Sequence, residues 1–413
     1  MMRPMRTVAA VVALAVLGLG TPASTADPAE NSVIHWTRIA EQFIPIGRPP
    51  ASSEVIMGTV QAAIYDTVAA TEGGLEPFMA SVPAPPGAST DAAVATAAHD
   101  VLVARVPLQA VPITTEYDTF MGTIADGQAK ADGEQVGAAV AAEILLLRAG
   151  DGLGNVVPYV QPTPGPGVFE PVLATTPVDV VLTQVQPFTF DSPSTFRPNG
   201  PTRLLSGEYA ADFNEVKAYG RSDSAVRTPE QTQTVRFWAE NSFVQLGRTV
   251  RLLAEERELN VRESARLMGF VHVATADVMI ACFEAKYYFS FWRPFHAIDR
   301  ADTDGNRATT PDPTWTSFLV VNHPEYPSGH SCFTGAMTKA LEIYFGTNAI
   351  PLTISSTFAG AGPPRTYAQL SDIRAEVADA RVWAGLHFRN SMQEGFKLAR
   401  KVAENAASQA FLT

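Results

Sequence analysis

Apolar residues recur at three- and four-residue spacing along most of the chain, the signature of helices with a buried face. Residues 53–71 are rich in Ala, Val and Ile at that spacing and read as a helix. A Pro/Gly turn at 83–87 follows, and Ser89, Thr90 and Asp91 offer an N-cap cluster for a helix over 90–106. Residues 114–147 carry a long helical pattern, read as two helices broken near Asp132 and Gly133. Thr228, Pro229 and Gln231 make a strong helix start, with a capping Thr, Pro at the first helical position and Gln at the third. That pattern runs on through Leu246. Asn260 caps another start, and 261–291 reads as a long, mostly buried helix. Further helices are expected over 331–345, 371–384 and 389–411.

The pattern fails over 155–201, which holds ten prolines and little helical period. Proline removes backbone donors and fixes φ, so an irregular segment is expected, with a short strand around 178–185. Val168, Phe169, Val172, Phe188, Phe190 and Phe196 make it too apolar for a solvated linker. A packed cover over a functional region is the better reading.

Composition narrows the class. With 46% hydrophobic and 17% charged residues, the chain can bury a large core. Its 42 acidic and 30 basic residues give a net charge of −12, which disfavours nucleic acid and anionic membrane surfaces as partners. Two cysteines and no CxxC pair exclude a disulfide-dense scaffold and a zinc motif. Arg3 and Arg6, the apolar run 7–20, and Ser24 and Ala26 look like a signal peptide over 1–26, so a secreted, soluble protein is expected. The best later apolar run, 269–283, is interrupted by His272 and Asp277, and no membrane span is expected.

Three pieces of the C-terminal third carry candidate chemistry. Lys286 and Arg293 lie seven apart, nearly two helical turns, so one helix would project both from one face until Pro294 stops it. Such a pair is commonly a solvated stripe. Here Tyr287, Tyr288, Phe289, Phe291 and Trp292 lie between them, and Glu284 points to the other side. Two buried cations without an acid need an anion. Next, Ser328, Gly329 and His330 open a helical run, placing a hydroxyl, free N–H groups and a titratable ring at a helix start. A plain turn with a capping serine is the alternative. Last, Arg381 and His387 are six apart and would face different ways on one helix, unless Gly385 breaks it and turns both inward. A satisfied core histidine is the alternative there. Together the pieces supply three cations, two imidazoles, a serine and a helix N-terminus, the set a tetrahedral oxyanion needs.

The pattern Lys-x6-Arg-Pro, then Pro-Ser-Gly-His, then Arg-x5-His resembles the signature of the vanadium-dependent haloperoxidase and type-2 phosphatidic acid phosphatase superfamily. The resemblance implies an all-α fold, a helical bundle of the haloperoxidase/acid phosphatase type, here with the Pro-rich segment as an irregular insertion. It implies an N-terminal helical region over 27–250 and a catalytic helical domain over 251–413. It implies vanadate as cofactor, with phosphate able to occupy the same site. Lys286, Arg293, Arg381, Ser328 and the Gly329 N–H would bind the oxyanion. His387 would be the axial vanadium ligand, or the nucleophile of a phosphatase, and His330 the acid–base residue. Hydrogen peroxide, a halide and a small organic acceptor would be the partners; in the phosphatase reading the partner is a phosphomonoester. A catalytically silent oxyanion-binding protein is a third reading. His323 stands where haloperoxidases resembling this one carry Phe for chloride and His for bromide, so bromide or iodide is expected. One departure is Ser391, where the superfamily often has the acid that orients the last histidine. If both cations and His330 converge on one anion, the helices bearing Cys282 and Cys332 must also approach. In an exported protein the two cysteines are then expected to pair, the alternative being two buried thiols.

Overall fold

The computed structural model describes residues 30–172, 175–408 and 411; the expected signal peptide lies outside the described residues. From the N-terminal side, α1 (Ser32–Phe43), α2 (Pro50–Glu72), α3 (Thr90–Arg105), α4 (Ala110–Met121) and α5 (Gln128–Leu147) precede the Pro-rich segment. After it come α6 (Gly207–Tyr219), α7 (Pro229–Phe237), α8 (Ser242–Glu256), α9 (Val261–Phe289), α10 (Pro294–Asp299) and α11 (Gly329–Phe345). Two short antiparallel strands, β1 (Leu352–Ile354) and β2 (Arg365–Tyr367), pair Leu352 with Tyr367 before α12 (Leu370–Trp383) and α13 (Arg389–Ala406) close the chain. The architecture is all-α.

Helices α2 and α9 are apolar nearly all round, so each needs neighbours on every side. They pack against one another, and Gly58 of α2 lets Ala276 of α9 come so near that a Cβ would sit 2.9 Å away. Helix α9 is long and apolar enough to cross a membrane, but its apolar window is buried in the protein. Its start is the capping box of Asn260 and Glu263. One hydrophobic core joins residues from α1 to α13.

Several expected boundaries move, each for a local reason. Gly133 does not separate one helix from the next; it lies inside α5, where its missing Cβ admits the Ser89 carbonyl of the α3 cap. Gly137 does the same for Ala93, and the real break falls at 122–127. The pattern from Thr228 is two helices, because α7 stops at Phe237 and Asn241 caps α8. No strand forms at 178–185. Asp179 adopts left-handed φ (57°), and Val180–Gln184 is a 3-10 turn. Helix α9 ends at Phe289 rather than 291, with Ser290 left-handed (φ 44°). Arg293 is therefore not on the Lys286 helix; it caps α10, and Pro294 begins a helix instead of ending one.

The Pro-rich segment is packed cover. Phe169 N donates to Ser290 O (2.7 Å), Trp292 N to Gly167 O (3.0 Å) and Val178 N to Asn322 O (3.1 Å). Asp277, fully buried in α9, accepts from Phe188 N (2.6 Å), Thr189 N (2.9 Å) and Thr189 Oγ1 (2.6 Å). The segment is thus tied to α9, to the corner before Arg293 and to the residue before His323. A Cys282–Cys332 disulfide joins α9 to α11, with Cα atoms 6.5 Å apart.

Candidate active site

The loop between α10 and α11 organises the site through its carbonyls. Lys286, in the last turn of α9, is fully buried. Its Nζ donates to Pro324 O (3.0 Å), Glu325 O (3.1 Å) and Pro327 O. Burial, then the charge of Arg293, holds its ammonium well below the usual lysine range. Arg293 is equally buried. Its Nε donates to His323 O (2.8 Å), its Nη1 to Leu386 O (2.8 Å), and its Nη2 contacts His323 Nδ1 (2.9 Å). Burial lowers it to about 10.

Arg381 reaches the site from α12, and His387 from the turn after it. Gly385 makes that turn with φ of 75°, and Leu386 N returns to Arg381 O (3.2 Å), the usual way a helix is ended by a left-handed glycine. Both side chains turn inward and are buried. Arg381 Nη1 donates to Trp238 O (2.9 Å), just past α7, while its Nε is buried with no partner among the described residues. Burial and Arg293 lower it to about 9.

Ser328 caps α11, accepting from Ser331 N, so its hydroxyl serves the helix start. Gly329 is the first helical residue and His330 the second. His323, Gly329 and His330 are partly exposed and form the open side of an otherwise buried site. His330 Nε2 has no partner among the described residues. Burial first, then the charges of Arg381, Lys286 and Arg293, push His330 well below the ordinary histidine range; His387 and His323 are pushed down likewise. The Phe283 ring stands 5.4 Å from that of His323.

All the expected residues of the site come together. The picture of two cations without an acid is corrected. Glu284 does point away, to Arg197, but Glu325 lies inside the site. It is 1% exposed, and its Oε1 is 2.8 Å from His387 Nδ1 and 3.0 Å from Phe388 N. Burial raises its carboxyl to about 7 against the pull of Arg293 and Lys286. Glu325 and the Trp238 carbonyl were not legible in the sequence. An acid within Pro-Glu-Tyr-Pro has no periodicity to place it, and a carbonyl leaves no mark in sequence.

The bundle gathers three buried cations, one buried carboxylate and the imidazoles of His387, His330 and His323 beside a helix N-terminus, an arrangement with the charge and donors to attract an anion. Residues 266–412 match the family model described as the VCPO second helical-bundle domain. The chain is 28% identical over 233 residues to the vanadium chloroperoxidase of Curvularia inaequalis; the match takes in 46% of this chain and 36% of that protein, so it spans about a third of the relative's length. Among solved structures, a bacterial vanadium-dependent iodoperoxidase superposes with a TM-score of 0.77 at 20% identity, covering 92% of this chain and 96% of the other. A bacterial vanadium-dependent chloroperoxidase in its holo form gives 0.70 at 20%, covering 87% and 92%.

Proposed function

We propose that this protein is an exported vanadate-dependent haloperoxidase that oxidises bromide or iodide with hydrogen peroxide, releasing hypohalous acid. The observation that carries the reading is the convergence of Lys286, Arg293 and Arg381 on the two imidazoles, with Glu325 their one carboxylate among the described residues. The donor set fits vanadate: Arg381 Nε and His330 Nε2 are buried without partners, and the excess positive charge needs an anion. Arg381, Ser328 and the Gly329 N–H would hold its oxygens, Lys286 and Arg293, whose N–H groups already end on carbonyls and imidazoles, would attract it by charge, and His387 Nε2 would ligate it. Bound vanadate supplies Lewis-acid activation of hydrogen peroxide towards a halide.

The chain's residues do the rest. His330, uncharged and on the open side, can take or return a proton at Nε2. His323 sets the polarity of the mouth beside Phe283, and the iodoperoxidase among the structural relatives accords with a heavy halide. A second reading is an acid phosphatase. The Glu325–His387 pair favours it, because a carboxylate-held imidazole is also a good nucleophile.

The deciding experiment removes bound oxyanion, then assays bromination and phosphomonoester hydrolysis with and without vanadate. Peroxide-dependent bromination that appears with vanadate and fades with added phosphate is the expected result. Phosphomonoester hydrolysis without vanadate-dependent bromination makes the phosphatase reading the right one. His387→Ala is expected to abolish vanadate binding, whereas His330→Ala keeps binding and loses turnover.

A further inference from the structure

The tautomer of His387 follows from its neighbours. Arg293 Nη1 lies 3.2 Å from His387 Nε2, and a guanidinium only donates, so Nε2 is the bare nitrogen. The ring proton is then on Nδ1, which donates to Glu325 Oε1 at 2.8 Å. That oxygen also accepts the Phe388 N–H at 3.0 Å, so two donors converge on it and it serves as an acceptor. Glu325 is held at its other end too, since its backbone carbonyl accepts from Lys286 Nζ (3.1 Å) and from Ser391 Oγ (3.3 Å). The chain after α12 brings His387 in, and the α10–α11 loop meets it with the carboxylate.

Ser391 approaches the same nitrogen from another direction. One turn into α13, its Oγ is 3.5 Å from His387 Nδ1, and the residue is buried. An aspartate there would carry an acceptor oxygen one bond further than the serine hydroxyl, on the side of the same nitrogen. Serine, its own proton given to Glu325 O, is too distant to fix the ring.

We propose that Glu325 is the positioning residue of His387: it holds the imidazole as the Nδ1–H tautomer, with the Nε2 lone pair turned to the cation cluster, in the role an acid at position 391 could fill. This deepens the proposed function and rests on His387 Nε2 being the atom that meets the oxyanion. Outer partners of a metal-ligating histidine commonly govern affinity 10–100-fold.

The test reads the ring directly and then the ligand. Nitrogen-15 NMR of histidine-labelled protein is expected to show His387 as the Nδ1–H tautomer in wild type and in Glu325→Gln, whose amide oxygen still accepts. In Glu325→Ala that signature is lost or mixed, and adding Ser391→Asp to Glu325→Ala restores it. Vanadate binding by equilibrium dialysis should fall about 10–100-fold in Glu325→Ala and recover largely in the double variant. An unchanged tautomer and affinity in Glu325→Ala overturns the proposal, and so does a folded double variant that regains neither. A fixed tautomer in a wild-type protein that binds no vanadate leaves Glu325 in its role and removes the proposed function instead.

Discussion

Gly385 shows how much of the site depends on one backbone angle. Its φ of 75° suits glycine, and a Cβ there would meet Gly220 O at 2.5 Å and the Trp315 ring at 2.9 Å. No side chain fits without shifting the turn that carries His387 inward. Gly385→Ala is expected to lower stability by about 2–3 kcal/mol and to weaken vanadate binding, checked by urea unfolding and dialysis of the same preparation. The glycine and the histidine were both legible as a helix break and an inward turn. The partner of that histidine was not. Position 391, where the motif leads one to look for an acid, holds serine, and the acid arrives from a loop 62 residues before His387. Lys286 and Arg293 were read correctly as a pair but through the wrong geometry. Seven residues make two turns only if the helix continues, and Ser290 ends it.

Among the elements, α9 carries the largest share of the design, and its buried polar residues are anchors for other segments. Asp277 is one: three donors from 188 and 189 end on its carboxylate. Burial holds that group up to about 6, above the usual 3.8, although the hydrogen bonds pull the other way. The folded protein therefore keeps a proton between about pH 4 and 6 that the unfolded chain has released, and its stability falls as pH rises through that window. Asp277→Asn removes this contribution. Its loss of unfolding free energy from pH 4 to pH 6 is expected to be smaller than the wild-type loss by about 2–3 kcal/mol, measured by urea titrations at both pH values. The second anchor is covalent. The Cys282–Cys332 bond spans 50 residues and ties α9 to α11. Replacing both cysteines by serine is expected to cost about 3–4 kcal/mol of stability to urea, mostly by freeing the unfolded chain. Helix ends beyond these were read unevenly. Caps at Ser89, Thr228 and Asn260 are where their side chains point, because the signal is local. Gly133 misled because a close helix contact and a helix break ask for the same residue.

At the scale of the whole molecule, an acidic chain of net charge −12 keeps three buried cations, Lys286, Arg293 and Arg381, in one site. Three cations against the carboxylate of Glu325 leave positive charge that works against folding, so a bound oxyanion is expected to act as a stabiliser as well. Vanadate at about a hundred times its dissociation constant adds roughly 2.7 kcal/mol, which for a chain of this size is a rise in Tm of about 3 °C. Differential scanning calorimetry checks it, and His387→Ala should show a smaller rise. The all-helical class was legible from periodicity, whereas the packing of the Pro-rich segment onto α9 was not, because proline-rich chain carries no register of its own.

The cations of the site have already given many of their donors to carbonyls of residues 323, 324, 325, 327, 386 and 238. Such carbonyls do for the charges what a first layer of water does for a dissolved ion, but they cannot drift or reorient. An arriving anion therefore finds the field finished and has little solvent to rearrange. What separates one tetrahedral guest from the next is then the bond that His387 Nε2 can make to it rather than the field. Oxyanions of like shape and charge then compete for the same finished field, and phosphate added in excess is expected to displace vanadate from it.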